Sequence, residues 1–115
     1  MPPEPRLATH MLVSSLIRQM SAQGDFATVL HKGDPTAGAL LLVTRCKGQN
    51  PRLFDRFPGL SGGQVWEEVA IQDIDIEQNI SEHCDRRVSR DPDIWIVELD
   101  VAFPERLTGL LASMA

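Results

Sequence analysis

Five basic and aromatic side chains have the residue types and spacing closest to a recognisable binding chemistry. In one predicted strand, alternation places Arg52, Phe54 and Arg56 on the same face. In the strand before it, Arg45 and Lys47 also share a face. Cations around an aromatic ring can hold phosphates and stack a base, as in proteins that bind single-stranded nucleic acids. Nucleic-acid binding is therefore one hypothesis, although the net charge of −5 and the lack of tyrosine argue against it.

Trp66 indicates a second kind of surface. It lies in a predicted strand among apolar neighbours, so packing in the core is the first expectation. Exposed beside Glu68, it would instead anchor a protein interface. Charge is also uneven, because residues 1–66 carry seven basic and four acidic side chains, whereas residues 67–115 carry four and twelve. Our preferred hypothesis is a small non-catalytic module that binds itself or a protein partner through a sheet edge or an exposed apolar patch.

Three polar residues around a proline-containing turn form a further candidate, a small binding lip. These residues are His31, Lys32 and Asp34. The alternative interpretation is structural, because the Asp34 side chain can accept a hydrogen bond from the backbone of Thr36 and stiffen a hairpin connection. We favour the structural interpretation.

Catalytic signatures are missing from the sequence, so we predict no catalytic residue, metal ligand or cofactor. There is no nucleophile elbow and no glycine-rich phosphate loop. The three histidines fall in three different predicted elements, which disfavours a metal site. The remaining enzymatic alternative is a small enzyme that uses His31 and dispersed carboxylates such as Asp91, Glu98 and Asp100.

Composition places the chain among ordinary globular domains. With 115 residues, 43% hydrophobic and 23% charged, the chain suits one domain. Its longest apolar run, residues 39–43, is far shorter than the ~20 residues that span a membrane. The N-terminus lacks the pattern of a secretory signal, and Cys46 and Cys84 lie in different elements, as expected for reduced thiols. We therefore expect a cytoplasmic protein.

Helical periodicity is clear in three segments. Apolar residues between Leu12 and Met20 line one side of a first helix, which Gly24 is expected to end. The start of this helix is open, since residues 7–13 could also form a strand. A second helix is expected between Asp75 as N-cap and the Asp91-Pro92 pair, and a short final helix begins near Pro104.

Extended segments with a period of two fill the middle of the chain. They cover residues 26–31, 39–46, 52–57 and 64–70, and the turn-rich connections between them favour a meander. Residues 40–43 and 94–97 are apolar on both faces, which indicates interior strands. We expect an α+β fold: a flexible arm over residues 1–5, then one domain over 6–115. Its mainly antiparallel or mixed sheet has about five strands, a four-strand meander plus a late strand, with two or three helices on one face.

Two stretches resemble a known bacterial family, that of the domain of unknown function 1491. They are GDFATVLHKGDPTAGA at 24–39 and DPDIWIVE at 91–98, with RL at 6–7 and VSSLIR at 13–18 in support. The resemblance implies a bacterial, cytoplasmic and self-contained unit. It implies no activity, cofactor or catalytic residue.

Overall fold

The computed structural model describes residues 8–58 and 64–114. Within these ranges the chain is α+β, as predicted, and the predicted arm over residues 1–5 lies outside them. The elements are α1 (Thr9–Ala22), β1 (Phe26–His31), β2 (Leu40–Cys46), β3 (Gln49–Pro58), β4 (Gln64–Val69), α2 (Ile76–Arg90), β5 (Trp95–Val101) and α3 (Pro104–Ser113). No helix of this part of the chain is long and apolar enough to cross a membrane.

The five strands form one mixed sheet in the order β1-β5-β2-β3-β4. The predicted four-strand meander is therefore wrong, because β5 inserts between β1 and β2 and only β2, β3 and β4 follow one another. β5 runs parallel to β2 and antiparallel to β1. The physical reason is burial: residues 40–43 and 94–97 are apolar on both faces, and β2 and β5 occupy two of the three interior positions of the sheet, where both faces of a strand are covered.

The helices cover both faces of the sheet, which corrects the expectation of helices on one face. On one side, α1 and α3 cover a core that includes Leu16, Leu42, Val97 and Met114. On the other side, α2 packs on a second core that includes Leu41, Leu53, Ile80 and Ile96. Both faces of β2 and β5 are therefore covered by helices, as expected for strands that are apolar on both faces.

The helix boundaries largely follow the sequence signals. The helix α1 begins at Thr9, so the alternative strand over residues 7–13 is wrong for the described part of that range. Gly24 has a φ of 78°, as expected of a glycine that ends a helix. Asp75 is the N-cap of α2, but its side chain makes no cap hydrogen bond, and Pro104 occupies the first turn of α3.

The β2–β3 hairpin differs from the sequence prediction in its bounds. The strand β3 begins at Gln49, three residues before the predicted start, and Lys47 lies in the two-residue turn rather than in a strand. Lys47 and Gly48 both have positive φ angles, 52° and 73°, which a tight hairpin turn requires. Asn50 has a φ of 53° and begins a bulge in β3. Between the Cys46–Gln49 and Thr44–Arg52 pairs, β3 has two residues where β2 has one.

The β1–β2 connection crosses the start of β5 instead of closing a hairpin. The Asp34 side chain accepts hydrogen bonds from the backbone of Thr36 at 3.1 Å and of Ala37 at 2.7 Å, which confirms the predicted turn bond. The backbone N–H of Asp34 donates to the Asp93 carbonyl at 2.9 Å. Residues of the two stretches that suggested a family therefore meet in space.

Candidate functional site

A groove lies between α2 and the part of the sheet formed by β1, β5 and β2. We call it the α2 groove; its volume is about 430 Å³, within the range of ligand sites. It exists because α2 lies closest to β3 and leaves the β1 side of the sheet open. Thr28 lies at the edge of the sheet beside Glu98. The lining of the groove includes His31, Val43, Arg45, Cys84, Asp85 and Glu98.

Arg45 closes one end of the α2 groove in an ion-pair cluster. Its Nε donates to Glu98 Oε1 at 2.5 Å, and its Nη2 donates to Glu77 Oε2 at 2.9 Å. The hydrogen bonds to Glu77 are the main reason that the pKa of Arg45 lies above its ordinary value, and Arg45 lowers the pKa of Glu77 in return. Arg45 thus joins α2 to β5, and its charge is matched by two carboxylates.

His31 contributes an acceptor to the groove. Its Nδ1 lies 2.7 Å from the carbonyl oxygen of Ile94, which can only accept, so Nδ1 carries the proton of the neutral ring. The lone pair is then on Nε2. Cys84 also lines the groove, but burial, followed by the charge of Asp85, raises the pKa of its thiol. The thiol therefore stays protonated, which does not favour a nucleophilic role.

The predicted basic and aromatic platform is not one surface in the structure. Arg52 and Phe54 lie on the α1/α3 face, where Phe54 packs against the core, while Arg45 points to the α2 face. The bulge at Asn50 is the cause: Thr44 pairs with Arg52, so β3 is shifted by one residue against an unbroken hairpin. A one-residue shift exchanges the two faces of a strand. Lys47, in the turn, belongs to neither face.

Trp66 is partly buried against the core cluster on the α1/α3 face, so its placement favours the first expectation of packing over an exposed anchor. It pairs across the strands with Arg56, whose guanidinium carbon lies 5.9 Å from the centre of the indole ring. Arg52 forms an ion pair with Glu68 at 3.8 Å on the same side. Arg52 and Arg56 therefore both interact with side chains of β4 on this face of the sheet.

The predicted lip and the acidic residues are likewise dispersed. Asp34 is used by its own turn and Lys32 is exposed, so of the lip only His31 reaches the groove. Asp100 accepts a hydrogen bond from the Gly48 backbone at 3.1 Å. Asp91 accepts one from the Asp93 backbone at 3.1 Å. Among residues 8–58 and 64–114, no three His, Cys, Asp or Glu side chains are grouped so that they could hold a metal ion.

An exposed sheet edge is a feature that the sequence analysis did not assign to a particular strand. Among residues 8–58 and 64–114, the strand β1 pairs with β5 alone, and three of its apolar side chains are exposed, Phe26 by 72%, Leu30 by 52% and Val29 by 38%. The strand contains no Asp, Glu, Lys or Arg. We call residues Phe26–His31 the β1 edge. A sequence signal did exist: two interior strands in a five-stranded sheet leave another strand at the edge.

In the part of the chain that the structure describes, the fold is a small α+β domain with an open sheet edge at β1 and the α2 groove beside it. The chain belongs to the family described as "Protein of unknown function (DUF1491)", which matches residues 7–108. The resemblance noted in the sequence is therefore confirmed. No curated protein matches the chain.

Three solved structures are similar to this chain. The crystal structure of a DUF1491 family protein from Caulobacter crescentus CB15 is 33% identical, with a TM-score of 0.75 over 84% of this chain and 90% of that one. An NMR structure of a DUF1491 family protein from the same bacterium gives 33% identity and a TM-score of 0.66 over 83% and 86%. The solution structure of Atu0922 from A. tumefaciens is 26% identical, with a TM-score of 0.64 over 84% and 86%.

Proposed function

We propose that this protein is a non-catalytic interaction module that binds an extended segment of a partner protein along the β1 edge. The supporting observation is that this edge is apolar, uncharged and exposed. An edge strand presents a row of backbone N–H and C=O groups that a further strand can pair with. The exposed side chains of Phe26 and Leu30 would add apolar contact to that pairing.

The opposite edge of the sheet, formed by β4, carries charged side chains, unlike the β1 edge. The strand β4 carries Glu67 and Glu68, both exposed, in its six residues. Charged side chains on an edge strand oppose pairing with another strand. The six residues of the β1 edge include no Asp, Glu, Lys or Arg, so the two edges differ in charge, one of the properties that limit strand addition.

Charge favours a separate partner over a second copy of this chain. Glu98 and Asp100 pair with Thr28 and Phe26 across the β1–β5 ladder, so carboxylates lie next to the β1 edge. A second copy would bring the same carboxylates, and each copy has a net charge of −5. A segment with positive charge would be attracted instead. We place this interaction in the bacterial cytoplasm, which the bacterial origin of the similar structures supports.

A peptide titration followed by NMR tests the proposal. The probe is a short peptide of alternating valine and lysine, added to the ¹⁵N-labelled protein up to about 1 mM. We expect the largest amide shift changes in the β1 edge. The same peptide methylated at every backbone nitrogen cannot donate backbone hydrogen bonds, so it should leave these amides unchanged.

Two matched variants locate the interaction. Phe26→Lys places a charge on the β1 edge, whereas Val65→Lys places it on an exposed apolar position of β4. The first should abolish peptide binding and the second should preserve it. Equal binding by the methylated peptide, or shifts centred away from β1, would contradict the proposal. A dimer in sedimentation that Phe26→Lys dissociates would assign the edge to a second copy and reject a separate partner.

A further inference from the structure

We infer that the α2 groove receives a lysine or arginine side chain of the segment bound at the β1 edge. This inference rests on the function proposed above and names the chemistry of the partner. Three features of the groove lead to it: the hydrogen-bonding character of its polar groups, its apolar floor, and its position beside β1.

The polar groups that remain available in the groove are mainly acceptors. Asp85 forms neither an ion pair nor a side-chain hydrogen bond with any residue in the described ranges. Glu98 is bonded to Arg45 through Oε1, and its Oε2 accepts no hydrogen bond from the same residues. His31 presents the Nε2 lone pair. A ligand that satisfies these groups must donate hydrogen bonds and carry positive charge.

Among the described residues, Arg45 is the one cation in the groove lining, and it does not cancel the negative charge there. Arg45 has two carboxylate partners, Glu77 and Glu98, so its own charge is matched. With Asp85 added, the lining has three carboxylates against one guanidinium. The surplus is negative, and a positively charged side chain complements it.

The floor of the groove suits the aliphatic part of such a side chain. Val43 and Ile96 form part of the sheet surface there, and Ile80 and Val88 contribute from α2. Lysine and arginine bury their methylene stems on apolar surface while the charged end stays with polar groups. A short polar side chain would reach neither the apolar floor nor the carboxylates of the groove.

The register of the sheet places the groove within reach of an added strand. Thr28 on β1 pairs with Glu98 on β5, so a strand on the outer side of β1 would have residues level with both. Neighbouring strands lie about 4.8 Å apart, so that strand would lie roughly 10 Å from β5. An extended lysine side chain that runs over the small Thr28 covers most of this distance, and a hydrogen bond to the Glu98 Oε2 atom would span the rest. Every second side chain of the added strand points to this face.

A comparison of two peptides tests the inference separately from the proposed function. The probes are the valine–lysine peptide and a valine–threonine peptide, which can pair equally well with β1 but carries no charge. We expect the lysine peptide to bind at least about tenfold more tightly, the effect of one charge-assisted hydrogen bond. If neither peptide binds at β1, the proposed function fails. If both bind there with equal affinity, only the inference about the groove fails.

Charge variants then identify the groove as the source of the preference. Asp85→Asn and Glu98→Gln each remove one negative charge from the lining, whereas Glu67→Gln removes one from the exposed surface of β4. The two groove variants should reduce the preference for lysine to about threefold or less, and Glu67→Gln should leave it unchanged. An equal loss in all three variants would show that only net charge matters and would overturn the inference.

Discussion

Trp95 Nε1 donates a 2.7 Å hydrogen bond to the backbone carbonyl oxygen of Asp34. This bond joins the first residue of the central strand β5 to the loop that crosses over it. Trp95 is 4% exposed, so its indole N–H has little access to water in place of this acceptor. The expectation that Trp95 packs in the core with its N–H satisfied is confirmed.

Trp95→Phe should destabilise the protein through the loss of this hydrogen bond. The Asp34 carbonyl would keep only the longer 3.4 Å hydrogen bond from the Gly38 backbone N–H, and the loss of one hydrogen bond costs about 0.5–1.5 kcal/mol of unfolding free energy. Trp66→Phe is the matched control, because its buried Nε1 has no hydrogen-bond partner within the described residues. Urea unfolding of both variants measures the difference. Equal destabilisation would show that ring volume, and not the hydrogen bond, determines the effect.

Gly33→Ala should disrupt the contact between the crossing loop and the start of β5. A Cβ at Gly33 would lie 2.0 Å from the carbonyl oxygen of Asp93, a backbone atom that cannot move aside freely. We expect a loss of at least about 1–3 kcal/mol, the usual cost of overpacking. Gly109→Ala in α3 meets nothing within 4 Å and should stabilise the helix by about 0.5–1 kcal/mol. Thermal unfolding of the two variants should show shifts of opposite sign; similar shifts would contradict this account.

His83 should make the stability of the protein fall as the pH decreases. Its pKa lies below the ordinary value of 6.5, chiefly because of burial and then because of Arg87, Arg86 and Arg90 on α2, against the opposing effect of Asp55 on β3. The unfolded chain therefore binds this proton more readily, so unfolding takes up a proton and the stability is lost below the ordinary pKa.

The measurement is the unfolding free energy of the wild type and of His83→Gln between pH 8 and pH 5.5, above the window in which carboxylates titrate. One group contributes a slope of at most about 1.4 kcal/mol per pH unit. The variant should show a smaller decrease toward pH 5.5. Parallel curves for the two proteins would assign the pH dependence to other groups.

Local pattern predicted most of the elements and several of their details. Residues adjacent in sequence were enough to predict the bounds of β1 and the hydrogen bond in the Asp34 turn. They also predicted that Asp75 precedes α2 and that Pro104 begins α3. The double apolar pattern of residues 40–43 and 94–97 also predicted correctly that both strands are interior. These features depend on periodicity and on backbone preferences, which are properties of a few neighbouring residues.

The candidate sites depended on relations between strands, and there the sequence was insufficient. Alternation correctly placed Arg52 and Phe54 together, but the bulge at Asn50 turned that face away from Arg45. Nothing in a strand's own pattern reveals a bulge in its ladder with certainty. The exposed β1 edge and the α2 groove arise from distant segments, so neither could be found from local spacing.

The sequence by itself determined the class of fold, most of the helices and strands, and the interior positions of β2 and β5. The tertiary structure alone decided that β5 separates β1 from β2, that α2 covers the opposite face from α1 and α3, and that β1 is left at an edge. The physical reason is that backbone hydrogen bonds between strands are alike for almost every residue type. Pairing partners are therefore selected by the burial of whole faces, which only the assembled chain defines.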